Sequence, residues 1–162
     1  MIIFTNKNQG FTFIEIIAVI SLIAIISAIT FSRLIFSNTD LIAQTEVIKT
    51  QLRYAQSKSM NSDVIWGIKC DGSSYWLYRN GDTNDKVLLP GENSDTVNLT
   101  DKGVDSMEIF TLSFDDRGIP HTDASTTDGQ ELTTSDPESL ITLSSGGVNR
   151  TITLTPSTGF IP

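Results

Sequence analysis

Gly10-Phe11-Thr12-Phe13-Ile14-Glu15 opens an apolar run that reaches Phe31 with Glu15 as its only charge. From Phe11 to Phe31, 16 of 21 residues are apolar, and the next charge is Arg33. As an α-helix this run would cover about 30 Å, the thickness of a bilayer hydrocarbon core. A removable secretory signal is the first rival, but its apolar region is only about 7–15 residues long and ends in small residues. Here Ile26 and Ile29 crowd the small pair Ser27-Ala28, and apolar residues continue to Leu34, Ile35 and Phe36. The run therefore reads as a retained membrane span. Lys7 lies before it, whereas Asp40, Glu46 and most later acids follow. The positive-inside rule then leaves the first residues cytoplasmic, with Arg33 working against that bias.

Outward from the span, the pattern becomes amphipathic. Leu41, Ile48, Leu52 and Ala55 recur at helical spacing, with Thr45 and Ser59 completing the stripe and Gln44, Lys49, Arg53 and Lys58 on other faces. No Pro or Gly interrupts Phe11 to Met60, so one rod of about 70–75 Å is expected from the helical rise. Its outer half needs a surface to bury that stripe. The following residues supply it, because the period there changes to alternation. Val64–Cys70 and Tyr75–Arg79 flank the turn Asp71-Gly72-Ser73-Ser74, and Glu108–Phe114 sets Phe110, Leu112 and Phe114 on one face. Leu140–Ser144 and Val148–Thr155 flank Gly146-Gly147, a hairpin signal. Segments 80–106 and 121–138, rich in Asp, Asn, Ser, Thr and Gly, read as loops. The expected fold class is α+β: a long N-terminal helix, half transmembrane and half amphipathic, packed on an antiparallel β-sheet domain.

Composition excludes several activities. The formal charge of -8 and pI near 4.4 oppose nucleic acid and anionic lipid. Arg150 is isolated, and the chain closes on Gly159-Phe160-Ile161-Pro162 without a basic cluster. Cys70 is the single cysteine and shares strand parity with Val64, Trp66 and Ile68, so it reads as a core thiol. His121, the single histidine, reads as a solvated loop residue, leaving no nucleophile and base to combine. Asp115 and Asp116 read as a turn balanced by Arg117 rather than as paired acids. Asn80, Asp82, Asn84 and Asp85 carry the hard oxygens calcium prefers, but without EF-hand spacing or a bidentate Glu they read as a solvated turn. The Asn98-Leu99-Thr100 and Asn149-Arg150-Thr151 sequons read as incidental. No enzyme activity, cofactor or metal is expected.

Glu15 is the anomaly, since a carboxylate at the centre of a membrane helix costs about 2.5–3.5 kcal/mol on insertion scales. It could sit in the headgroup zone at little cost. Alternatively, a cut after Gly10 would give Phe11 a free amine with a pKa of about 8, four positions before the acid. The carboxylate would then meet either its own helix dipole or the amine of a staggered neighbour.

Lys7, Gly10, Phe11 and Glu15 ahead of an unbroken apolar run resemble the class III signal of type IV pilins and pseudopilins. The resemblance implies that residues 1–10 are a leader removed by a prepilin peptidase, that Phe11 is N-methylated, and that Glu15 acts in assembly. It divides the remainder into a transmembrane and assembly helix at 11–36, an amphipathic continuation at 37–61, and a periplasmic β-rich domain at 62–162. Many major pilins carry a proline where this chain has Ser32. Leu52-Arg53-Tyr54-Ala55-Gln56-Ser57, then Phe114-Asp115-Asp116-Arg117-Gly118-Ile119-Pro120, then Thr158-Gly159-Phe160-Ile161 are similar in order to the H-type (GspH/FimT-type) minor pseudopilin family. That likeness implies a minor subunit of a type II secretion filament, single-pass in the inner membrane, contacting other pilin-like subunits and secreted cargo. The alternatives are a minor pilin of a type IV pilus, serving adhesion, motility or DNA uptake, and a membrane-anchored binding domain that never polymerises.

Overall fold

The computed structural model describes the backbone of residues 12–126 and 131–162, and the side chains of these except 28–38 and 138. Helix α1 runs from Phe13 to Met60, and its end at Met60 matches the sequence expectation. The chain divides between Phe36 and Ser37 into two compact units, so α1 contributes to both. Among the described residues no helix is long and apolar enough to cross a membrane. The apolar side chains described in this part of α1 end at Ile26, and Phe11 and residues 28–36 of the expected 11–36 span lie outside the described side chains.

In the second unit the stripe on α1 is buried as its spacing requires. Leu41, Ile48, Leu52 and Ala55 are fully buried, with Thr45 and Ser59 closing the same face. Each buried Leu or Ile contributes about 1.5–3 kcal/mol relative to exposure. Gln44 departs from expectation, because it is buried and its Nε2 donates to the Tyr75 hydroxyl at 2.9 Å. A polar residue beside the apolar stripe is drawn inward when a buried partner satisfies it.

The strands are β1 (Trp66–Cys70), β2 (Ser74–Arg79), β3 (Asp82–Val87), β4 (Val97–Asn98), β5 (Ser106–Met107), β6 (Phe110–Phe114), β7 (Pro120–His121), β8 (Leu140–Ser145) and β9 (Val148–Thr153). One antiparallel sheet has the order β3-β2-β1-β6-β7, with β4 also on β2; the second has the order β5-β8-β9. Inward residues of both sheets join the α1 stripe in one core, including Ile68, Leu77, Leu112 and Phe114 from the first and Ile141, Leu143 and Ile152 from the second.

Both expected hairpins form. Asp71 closes the β1–β2 turn by accepting from the Ser73 and Ser74 amides at 2.9 and 2.7 Å. Gly146 and Gly147 join β8 to β9 at φ 57° and 79°, the left-handed pair a two-residue turn requires.

The expected loop at 80–106 is corrected. It contains β3, β4, the start of β5 and a 3-10 turn at Thr100–Lys102. Asn80 and Gly81 take φ 60° and 68° between Arg79 and Asp82, a tight Asn-Gly hairpin. Strand β3 is polar because it is a sheet edge, where Asp and Lys are tolerated and apolar alternation is not imposed. The expected loop at 121–138 is corrected at its ends. His121 belongs to β7 and Pro137–Ser139 forms a 3-10 turn.

Candidate functional site

Of the expected processing and assembly residues, Gly10 and Phe11 lie outside the described residues. Glu15 is in the first turn of α1, and its Oε2 accepts from the Thr12 amide at 3.5 Å. This places an acid where the unsatisfied amides of a helix start favour negative charge.

The residues on either side of it are apolar around the whole helix. Phe13 and Ile14 are 79% and 72% exposed, and Ile16, Ile17, Val19, Ile20, Leu22, Ile23, Ile25 and Ile26 are all 44–61% exposed. Their positions cover the full circumference of the helix, so no polar face remains for water. Ser21 returns its hydroxyl to the Ile17 carbonyl at 2.8 Å, satisfying its own donor within the helix. A surface of this size without a polar side marks contact with lipid or with other apolar helices.

In the second unit, the three stretches quoted from the sequence meet in one clasp. Arg53 donates from Nη2 and Nε to the Ile161 carbonyl at 2.8 and 3.2 Å. One turn on, Gln56 Nε2 donates to the carbonyls of Gly118, Thr158 and Gly159 at 2.9, 3.2 and 3.2 Å. Gly118 and Gly159 both have positive φ, and a Cβ on Gly159 would lie 2.5 Å from the Gly118 carbonyl and from Gln56 Nε2. The close approach of these two backbones requires glycine.

Beside the clasp, Asp115 organises its own turn. Oδ1 accepts from the Arg117 and Ile119 amides at 3.0 and 2.7 Å, and Oδ2 pairs with Arg117 Nη2 at 2.8 Å. Burial pushes the Asp115 carboxyl upward, but the Ile119 amide and Arg117 outweigh it and hold the group below the usual carboxylate range. Asp116 stays exposed, in keeping with a locally balanced turn rather than a pair of acids.

His121 is corrected from solvated to buried. It is 5% exposed, and its Nε2 lies 3.9 Å from Asp115 Oδ2. The short strand β7 pairs with Ser113 and Phe114 and carries the imidazole inward with it. Cys70 is buried as expected. Burial pushes its thiol up to about 11, so the neutral form persists at neutral pH. In the 80–85 segment the carboxylates are engaged by protein donors. Asp85 Oδ2 accepts from Arg79 Nε at 2.9 Å and from Asn80 Nδ2 at 2.8 Å, while Asp82 Oδ1 accepts from Asn84. A guanidinium within this set opposes a cation.

The clasp and the Asp115 turn are structural features that periodicity does not announce; the signal for each is a glycine or acid at a fixed offset. No curated protein and no solved structure matches the chain. Residues 5–31 match the prokaryotic N-terminal methylation motif, the type IV pilin and pseudopilin signal, and this match supports placing the chain in the pilin-like superfamily.

Proposed function

We propose that this chain is a minor pseudopilin of a type II secretion-type filament, anchored in the inner membrane with its β-rich domain in the periplasm. The carrying observation is the methylation signal at residues 5–31, joined to a helix start that exposes apolar side chains on every face around the single acid Glu15. Prepilin peptidase cuts after Gly10, and the new amine of Phe11 is methylated. In the filament, Glu15 neutralises the amine of a neighbouring subunit, and desolvation among apolar helices makes that pairing sensitive to loss of either charge. The apolar helices bundle as subunits leave the bilayer, while the globular domain contacts neighbouring minor subunits or cargo in filament priming.

The same signal serves type IV pilins. Ser32 in place of a proline, and the isolated Arg150 in an acidic domain, favour the pseudopilin branch over a DNA-binding pilus subunit. Glu15→Ala tests the charge role. The variant is expected to insert into the membrane normally yet fail to enter filaments and to support secretion. Unchanged incorporation would remove the charge-pairing step.

A further inference from the structure

Met60 is the last residue of α1, and its thioether packs against the clasp. A Cβ built on Gly118 would lie 2.8 Å from Met60 Sδ, 3.2 Å from Met60 Cγ and 3.3 Å from Gln56 Nε2. The sulfur and the Gln56 amide therefore crowd the same face of Gly118. The rest of the Met60 side chain is open to solvent, since the residue is 53% exposed, whereas Met107 is 3% exposed. Met1 lies outside the described residues, so Met60 is the accessible methionine among those described.

The Gln56 amide is the point at which the clasp is most easily disturbed. Its Nε2 carries two hydrogens and serves three carbonyls, those of Gly118, Thr158 and Gly159, at 2.9, 3.2 and 3.2 Å. A thioether beside it is a weak acceptor and competes little. A sulfoxide is polar and its oxygen accepts strongly. The segment at stake is a tight loop, in which the Gly159 amide donates to the Thr155 carbonyl at 2.8 Å and the Thr155 amide to the Phe160 carbonyl at 2.9 Å. Gln56 and Arg53 tie that loop to α1.

We propose that Met60 is an oxidation site that loosens the clasp, with hydrogen peroxide as the class of oxidant. The sulfur lone pair attacks a peroxide oxygen, the O–O bond breaks, and the sulfoxide forms as water leaves. Sulfur is oxidised by two electrons and the peroxide is reduced by two. The new oxygen, on the sulfur that already borders the Gln56 amide, accepts one of its two hydrogens. One hydrogen then remains for three carbonyls, and the loop closed by Thr155 and Phe160 gains freedom relative to α1. Enzymatic reduction of the sulfoxide restores the clasp.

The test uses the full chain in lipid nanodiscs, treated with hydrogen peroxide. Peptide mass spectrometry is expected to find Met60 oxidised at least about tenfold faster than Met107. Backbone amide exchange at Gly159, followed by NMR, is expected to rise about fivefold, matching the loss of one ordinary hydrogen bond, with Ile68 in β1 unchanged. Methionine sulfoxide reductases acting on both epimers should return Gly159 to its starting rate. Met60→Leu is expected to keep slow exchange in peroxide. A Met60 that stays reduced, a Met107 that oxidises as fast, or sulfoxide without faster exchange would overturn the proposal. Exchange that stays fast after reduction, or an equal rise in Met60→Leu, would assign the effect to another residue and overturn it as well.

Discussion

The guanidinium of Arg53 holds the carbonyl oxygen of Ile161, 108 residues further along the chain, through two donors at 2.8 and 3.2 Å. Arg53 is exposed, so the contact contributes about 1 kcal/mol rather than the ~1.5–3 typical of hydrogen bonds to a charged group. Arg53→Ala is expected to lower stability by about that amount in chemical denaturation. Arg53→Lys recovers little, because an ammonium lacks the planar two-donor fork. A variant as stable as the wild type would show that the contact carries no net free energy.

Gly67 is the second residue of β1, where a side chain has no room. A Cβ there would lie 2.3 Å from the Leu112 carbonyl and 2.3 Å from the Tyr78 hydroxyl oxygen. Tyr78 is fully buried and lies across this position, donating to the Leu112 carbonyl at 3.2 Å. Overpacking costs about 1–3 kcal/mol. Gly67→Ala should reach the upper end, because one of the clashing atoms is backbone and cannot rotate away. Denaturant midpoints of the two proteins measure the difference.

The Asp115 turn makes stability depend on acid. Its folded-state pKa is depressed, so its contribution is fully present above the unfolded value of about 3.9 and is lost as pH falls through the folded one. Asp115→Asn is expected to be less stable than wild type at pH 7. The two proteins should converge as pH drops below about 4, with thermal unfolding across that range as the measurement. A constant gap at all pH values would dissociate the carboxylate's charge from the turn.

Cys70 should resist modification while the chain is folded. Its thiol is buried and pushed up to about 11, first by burial. A thiol reagent at pH 7 is expected to label it orders of magnitude more slowly in the native protein than in denaturant. Rapid native labelling would contradict the core placement.

Much of this architecture was legible because burial imposes periodicity. Leu41, Ile48, Leu52 and Ala55 announced the buried face of α1, and Gly146-Gly147 announced the second hairpin. Strand β3 was not legible in the same way, since an edge strand can be polar on both faces. Asn80-Gly81 was the available turn signal there. His121 escaped because a strand as short as β7 has no period of its own; its burial follows from pairing with Ser113 and Phe114. The clasp was visible only as three separated motifs. Their meeting depends on tertiary hydrogen bonds from Arg53 and Gln56, which spacing along the chain does not encode.

Cleavage after Gly10 exposes the amine of Phe11, and the N-terminus of the chain isolated from its native membrane reports that chemistry most directly. Mass spectrometry should find a first residue of Phe11 carrying one N-methyl group. A chain that retains Met1 and residues 2–10 would contradict the account.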